Sequence, residues 1–163
     1  MLTLKKSLFL LLFVALLSGC ATTEYDKQES IFMVFKTPTF KHADLGFMYE
    51  NIDALKVEIY SNGQAVMALE IGKENICMSL LECMNKKSFN KEVLSAYYPV
   101  DILNHIFRGQ EIFSGQNLVK TRNGFTQTLM KMGKYNINYS VLNKQIIFRD
   151  KMNNIFIKVK RLK

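Results

Sequence analysis

The chain has 163 residues, 48% of them hydrophobic, with 22 Lys and Arg against 14 Asp and Glu and a formal charge of +8. That is the size of one ordinary domain, apolar enough to bury a single core. Two prolines and no internal repeat exclude a Pro-rich or solenoid chain, and the basic residues are dispersed rather than gathered into one long block.

Lys5 and Lys6 open the chain, and Leu8 to Leu17 is an apolar run of ten residues. A bilayer needs about twenty, so the segment reads as a secretory leader and not as a membrane span. It closes on Leu17-Ser18-Gly19-Cys20. This resembles a bacterial lipobox, in which Leu and a small residue precede Gly or Ala and then Cys. The resemblance implies cleavage between Gly19 and Cys20, a diacylglyceryl group on Cys20 Sγ and acylation of the new amino group. Residues 1–19 are then a lipoprotein signal peptide, 20–31 a polar lipidated tether and 32–163 the folded domain. Loss of Lys5 and Lys6 lowers the charge by two. An exported, lipid-anchored protein does not meet the genome, so nucleic acid is excluded as the reason for the basic balance.

Beyond the tether, apolar residues alternate with a period of two. Leu55, Val57 and Ile59 share one face of a strand, and Asn62-Gly63 supplies a hairpin turn that tolerates positive φ. The return strand places Ala65, Met67, Leu69 and Ile71 on one face, and 72–75 turn into Ile76-Cys77-Met78.

The middle changes period. From Lys86 to Tyr98, Phe89, Val93, Leu94 and Tyr97 recur about once per helical turn. Pro99 begins a second helix, striped by Val100, Leu103, Ile106 and Phe107 and stopped at Gly109. Strand periodicity then returns: Phe125 to Met132, a turn at Gly133, Tyr135 to Val141, Gln145 to Arg149, and Ile155 to Val159. Strands, two helices and more strands predict an α+β fold with a mainly antiparallel sheet. A curved sheet closed by the helices would form an apolar cup.

With Cys20 assigned to lipid, Cys77 and Cys83 remain in an oxidising compartment. They read as two buried free thiols, with a disulfide across the short loop as the alternative. The basic end, Lys158-Val159-Lys160-Arg161-Leu162-Lys163, reads as a strand edge protected by lysines, with a membrane surface as the alternative.

Chemistry is hard to place. His42 and His105 stand outside any motif, and there is no nucleophile elbow, zinc-protease helix or phosphate-cradling glycine loop. Asp101 suits the first turn of the second helix. The reading is of a non-enzyme with no catalytic group, cofactor or metal.

The segment Tyr98-Pro99-Val100-Asp101-Ile102-Leu103-Asn104-His105-Ile106-Phe107-Arg108-Gly109 resembles the Pro-φ-x-x-Leu-x-x-Trp-φ-x-Gly segment of the LolB family of outer-membrane lipoprotein receptors, φ being apolar. The order of elements over residues 32–162 is similar too. The chain departs from the family where Ile106 or Phe107 replaces the tryptophan, and where Tyr60-Ser61-Asn62-Gly63 lacks the protruding-loop leucine. The resemblance implies a curved, incomplete antiparallel β-barrel, a half-barrel with the central pair of helices as lid. It implies an acyl-binding cavity lined by Leu55, Val57, Ile59, Met67, Leu69, Leu103, Ile106 and Phe107. It also implies a monomer at the outer membrane, facing the periplasm, that takes acylated lipoprotein cargo from a soluble LolA-like periplasmic carrier. Ala21 agrees with outer-membrane sorting, since an aspartate there commonly retains lipoproteins at the inner membrane. The alternative is a structural or assembly lipoprotein that binds an outer-membrane protein and transfers no lipid.

Overall fold

A computed structural model describes residues 24–79 and 81–162. Eleven strands run in chain order: β1 (Lys27–Lys36), β2 (Lys41–Glu50), β3 (Leu55–Ser61), β4 (Gln64–Ile71), β5 (Asn75–Met78), β6 (Leu81–Asn85), then β7 (Leu118–Thr121), β8 (Gly124–Lys131), β9 (Tyr135–Leu142), β10 (Gln145–Asp150) and β11 (Ile155–Arg161). Helices α1 (Lys86–Val93) and α2 (Ile102–Arg108) and a 3₁₀ turn at Phe113–Gly115 lie between β6 and β7.

All strands join one sheet in the order β6-β5-β4-β3-β2-β1-β11-β10-β9-β8-β7, every neighbour antiparallel. The first six strands step by hairpins from the centre to one edge. The helical segment carries the chain to the other edge, and the last five step back. The meanders close on each other where β1 meets β11, from Ile31 opposite Arg161 to Lys36 opposite Phe156.

Period-two patterning makes this sheet and assigns its faces. Ile31, Met33 and Phe35 of β1, Leu55, Val57 and Ile59 of β3, and Ile155, Ile157 and Val159 of β11 are all buried on one side. Phe89 and Val93 of α1 and Ile102, Leu103, Ile106 and Phe107 of α2 join them in a single apolar cluster. The helices therefore cover part of the sheet's inner face.

The expected fold class is overturned. Of the described residues 56% are strand and 13% helix, in an open eleven-stranded antiparallel sheet with two helices among them, and not in an α+β half-barrel with a central helix pair as lid. The cause lies in lengths. The helical spacing read over Lys86–Tyr98 yields helix only to Val93, where Leu94 leaves helical geometry at φ −117° and ψ −102°. The segment starting at Pro99 becomes helical only at Ile102, leaving two helices of eight and seven residues. Strand also extends into sequence read as something else, since β1 begins at Lys27, inside the expected 20–31 tether, and β2 and β7 were not anticipated.

Other expectations shift as well. The basic end does not guard an edge: β11 lies between β1 and β10, and the edges are β6 and β7. Cys77 and Cys83 are joined in a disulfide, with Cα atoms 4.1 Å apart, and are not free thiols. Ala65 is exposed because the β3–β4 register shifts between Ile59 and Tyr60, which moves it off the face that Met67 and Leu69 share. The Asn62-Gly63 turn forms as expected, both residues at positive φ (51° and 77°). Gly109 ends α2 in the left-handed region at φ 67°, also as expected.

Candidate functional site

The eight residues expected to line a cavity fall in one place. Leu55, Val57 and Ile59 on β3, Met67 and Leu69 on β4, and Phe107 on α2 have no solvent exposure, and Leu103 and Ile106 are 1% exposed. Cross-strand pairing sets Val57 opposite Leu69 and Ile59 opposite Met67. Sheet and helix residues belong to the same buried cluster. The eight are thus packed out of contact with solvent, and none of them borders the four depressions at Lys36–Phe156, Thr126–Arg149, Lys73–Asp101 and Pro99–Ser114.

Cys20 and Gly19, the lipidation and cleavage residues, lie outside the described residues. Among the described residues no helix is long and apolar enough to cross a membrane, and no three His, Cys, Asp or Glu cluster as a metal site would require.

Polar side chains that sequence reading missed fasten the 86–117 segment over the apolar layer. Asp150, 1% exposed at the end of β10, accepts hydrogen bonds from Tyr98 Oη (2.5 Å), Asn153 Nδ2 (2.6 Å) and the backbone N–H groups of Asn136 (3.0 Å) and Met152 (2.9 Å). Burial alone would raise its pKa. The donors, Tyr98 first, outweigh burial and hold the carboxyl below the ordinary aspartate range. Burial, and then the anionic acceptor, push the Tyr98 phenol well above its usual value. The pair is thus a carboxylate held by a phenol that stays protonated, which is an anchoring device and not an acid–base couple.

Gln127 forms a second peg. It is 1% exposed on β8; its Oε1 accepts from Ile112 N–H (2.9 Å), and its Nε2 donates to the carbonyls of Ile112 (2.9 Å) and Gln116 (2.8 Å). Tyr139 Oη donates to the Gln110 carbonyl at 2.8 Å. Within the helical segment, Asn90 Nδ2 donates to the Pro99 carbonyl (2.9 Å), and the buried Lys86 ammonium pairs with Asp101 at 2.6 Å. Asp101 therefore serves α1 as an ion-pair partner and makes no side-chain cap on its own helix. His105 is half-buried, its Nδ1 2.8 Å from the Glu111 carbonyl, and among the described residues it has no hydrogen-bonded carboxylate or nucleophile.

A visible signal did exist for two of these. Gln127 interrupts the apolar file Phe125, Leu129, and Asp150 opens an Asp-Lys-Met-Asn-Asn turn of the kind a carboxylate organises through backbone N–H groups. Where the apolar layer ends, beside the start of β1, charges close it. Glu50 pairs with Lys27 (3.1 Å) and Arg108 (3.6 Å), while Glu29 contacts Lys27 (3.2 Å) and Arg161 (2.9 Å). Arg108 also donates to the Asn51 carbonyl at 2.7 Å, tying α2 to the β2–β3 turn.

Fold and site together define, over the described residues, a mainly antiparallel β protein with one buried apolar layer beneath two short, polar-pegged helices. Compared with known protein families, the chain matches none. It likewise matches no curated protein.

Proposed function

We propose that this chain is a lipid-anchored protein of the outer membrane that faces the periplasm, accepts the acyl chains of lipoproteins from a LolA-like carrier and helps localise them. The supporting observation is the continuous apolar layer shared by Leu55, Val57, Ile59, Met67 and Leu69 of the sheet with Leu103, Ile106 and Phe107 of α2. Because these side chains are buried against one another, an acyl chain enters by separating α2 from the sheet. Each CH₂ transferred is worth about 0.8 kcal/mol, so a long chain can offset the loss of several helix contacts. The task needs no bond making, only passage between apolar surfaces without exposure to water.

The test is native mass spectrometry of the purified chain together with titration of a fluorescent fatty acid. Co-purified acyl lipid, or saturable probe binding competed by an acylated lipoprotein, is the expected result. A chain that neither carries lipid nor takes up the probe removes the reading.

A second reading is the assembly lipoprotein that binds an outer-membrane protein without lipid transfer. Its support is the β8–β9 turn, where Met132 is 90% and Met130 72% exposed beside Lys131 and Lys134. Lipid-free protein that captures one membrane partner in fixed ratio, and loses it on Met132→Ser, would decide for this alternative.

A further inference from the structure

On four adjacent strands the side of the sheet turned away from the helices sorts its charges by sign, whereas β3 and β4 beyond them present Glu58 and Glu70 outward beside Lys56. In β1, β2, β10 and β11 every acidic residue (Glu29, Asp44, Glu50 and Asp150) has the parity of the buried file. The outward positions of the same strands hold five cations, Lys36, Lys41, Arg149, Lys158 and Lys160, and no carboxylate. Among the described residues none of the five forms an ion pair. Unpaired like charges on neighbouring strands repel one another, so packing gives no reason for the arrangement.

Apolar side chains are set between these cations in register. Phe32 lies between Leu45 and Lys160, and Lys158 between Val34 and Ile147. Leu45 is 54% exposed, and the Arg149 guanidinium stacks on Phe156 at 4.5 Å. At one end of the face Lys36, Arg149 and Lys151 border a depression of about 200 Å³. Asp150 contributes to its wall, but both its oxygens are engaged by Tyr98, Asn153 and backbone N–H groups.

The chain also joins the sheet from this side. The Tyr25 ring stands 5.8 Å from that of Tyr49, an outward residue of β2. Cys20 precedes Glu24 by four residues, a reach of at most about 14 Å when fully extended. A lipid on Cys20 therefore tethers the bilayer within reach of the Lys27 end of this face, about 30 Å along β1 from Lys36.

We propose that the outward face of β1, β2, β10 and β11 lies against anionic phospholipid headgroups of the membrane that holds the anchor. Headgroup phosphates sit among Lys36, Arg149 and Lys151, and Leu45 enters the interfacial layer. The inference rests on the lipid-anchored reading of Cys20 and is independent of whether the inner layer takes acyl chains. Lys and Arg suit the task because each cation near an anionic leaflet strengthens attachment roughly fivefold. The docked sheet would leave the helices and the opposite face turned to the periplasm.

The experiment uses the full chain purified from membranes, its whole-protein mass first reporting whether Cys20 carries lipid. Ala43→Cys on the outward face and Glu92→Cys on α1 are each labelled with an environment-sensitive fluorophore and reconstituted into neutral phosphatidylcholine vesicles or vesicles containing phosphatidylglycerol. A blue shift at position 43 alone, present only with phosphatidylglycerol and lost at ~1 M salt, where the Debye length is about 3 Å, is the expected result. The surface substitutions Lys36→Glu, Arg149→Glu and Lys160→Glu together should abolish it while leaving the circular dichroism spectrum unchanged. Equal emission in both vesicles, or a shift at position 92 instead, overturns the proposal. So does a shift that needs added envelope proteins, which would assign the face to an acidic protein partner. An unlipidated mass removes the premise and with it the proposal. Fatty-acid titration of the same sample reads the acyl-acceptor function separately.

Discussion

Asp150 ties Tyr98, Asn136, Met152 and Asn153 to the end of β10. Asp150→Ala would strand several buried donors at once, and a loss of about 3 kcal/mol in chemical denaturation is expected. The carboxyl has a pKa below its ordinary value in the folded state. Its contribution is therefore complete above the unfolded value near 3.9 and is lost as pH falls through the lower folded value. Glu58, held low first by its bond to Lys56, adds in the same direction. Thermal midpoints should fall steeply below about pH 4, and Asp150→Asn should flatten part of that slope. A pH–stability profile of the variant parallel to the parent's would contradict the assignment. Little of this was legible in the sequence. Aspartate at a turn is common, and only the fold brings Tyr98, fifty-two positions away, to its oxygen.

The elements follow from local pattern wherever the pattern is strict. Between β2 and β3, Gly46 is required by close approach: a Cβ there would lie 2.0 Å from the Glu58 carbonyl oxygen. Gly46→Ala should push the strands apart at the Gly46–Ile59 pair, with a stability loss of about 2 kcal/mol or more, and speed amide exchange along β3. Unchanged exchange would show that the ladder gives way without cost. At the edge, the Cys77–Cys83 bond fastens β6 to β5 across a separation of six residues. A loop that short predicts about 2 kcal/mol from restriction of the unfolded chain. Mild reduction should accordingly loosen β5, β6 and the start of α1, read as local amide exchange, before the centre of the sheet responds. Helix lengths were the least legible elements. The period through Tyr97 and the proline at 99 predict helix on either side of their junction, yet Asn90 and Asp150 draw this stretch into a tight connection instead.

For the whole molecule, the decisive fact is that one apolar layer is buried beneath polar-pegged helices. Phe107→Ala removes a fully buried ring and should cost about 3–5 kcal/mol. If acyl chains enter the layer, a saturating fatty acid should raise the thermal midpoint of the parent chain and restore part of the loss in the variant, by filling the space left. Equal midpoints with and without the fatty acid in both proteins would mean that the layer is a dry core. The charge sorting on the other side of the sheet is a property of the assembled sheet too. Lys158 and Lys160 read as edge protection until β11 is seen at the centre.

The sequence by itself determined the period-two strands of its later half and the stretch between β3 and β5, the turn at Asn62-Gly63, the stop at Gly109 and the apolar identity of the eight inner residues. Those features are local: they depend on backbone sterics and on which side chains avoid water within a few residues. The tertiary structure decided which strand lies in the centre, how short the helices are, that Cys77 meets Cys83, and that the inner layer is buried beneath the helices. Each of these depends on contacts between distant residues, and a period along the chain carries no information about which distant partner will be met.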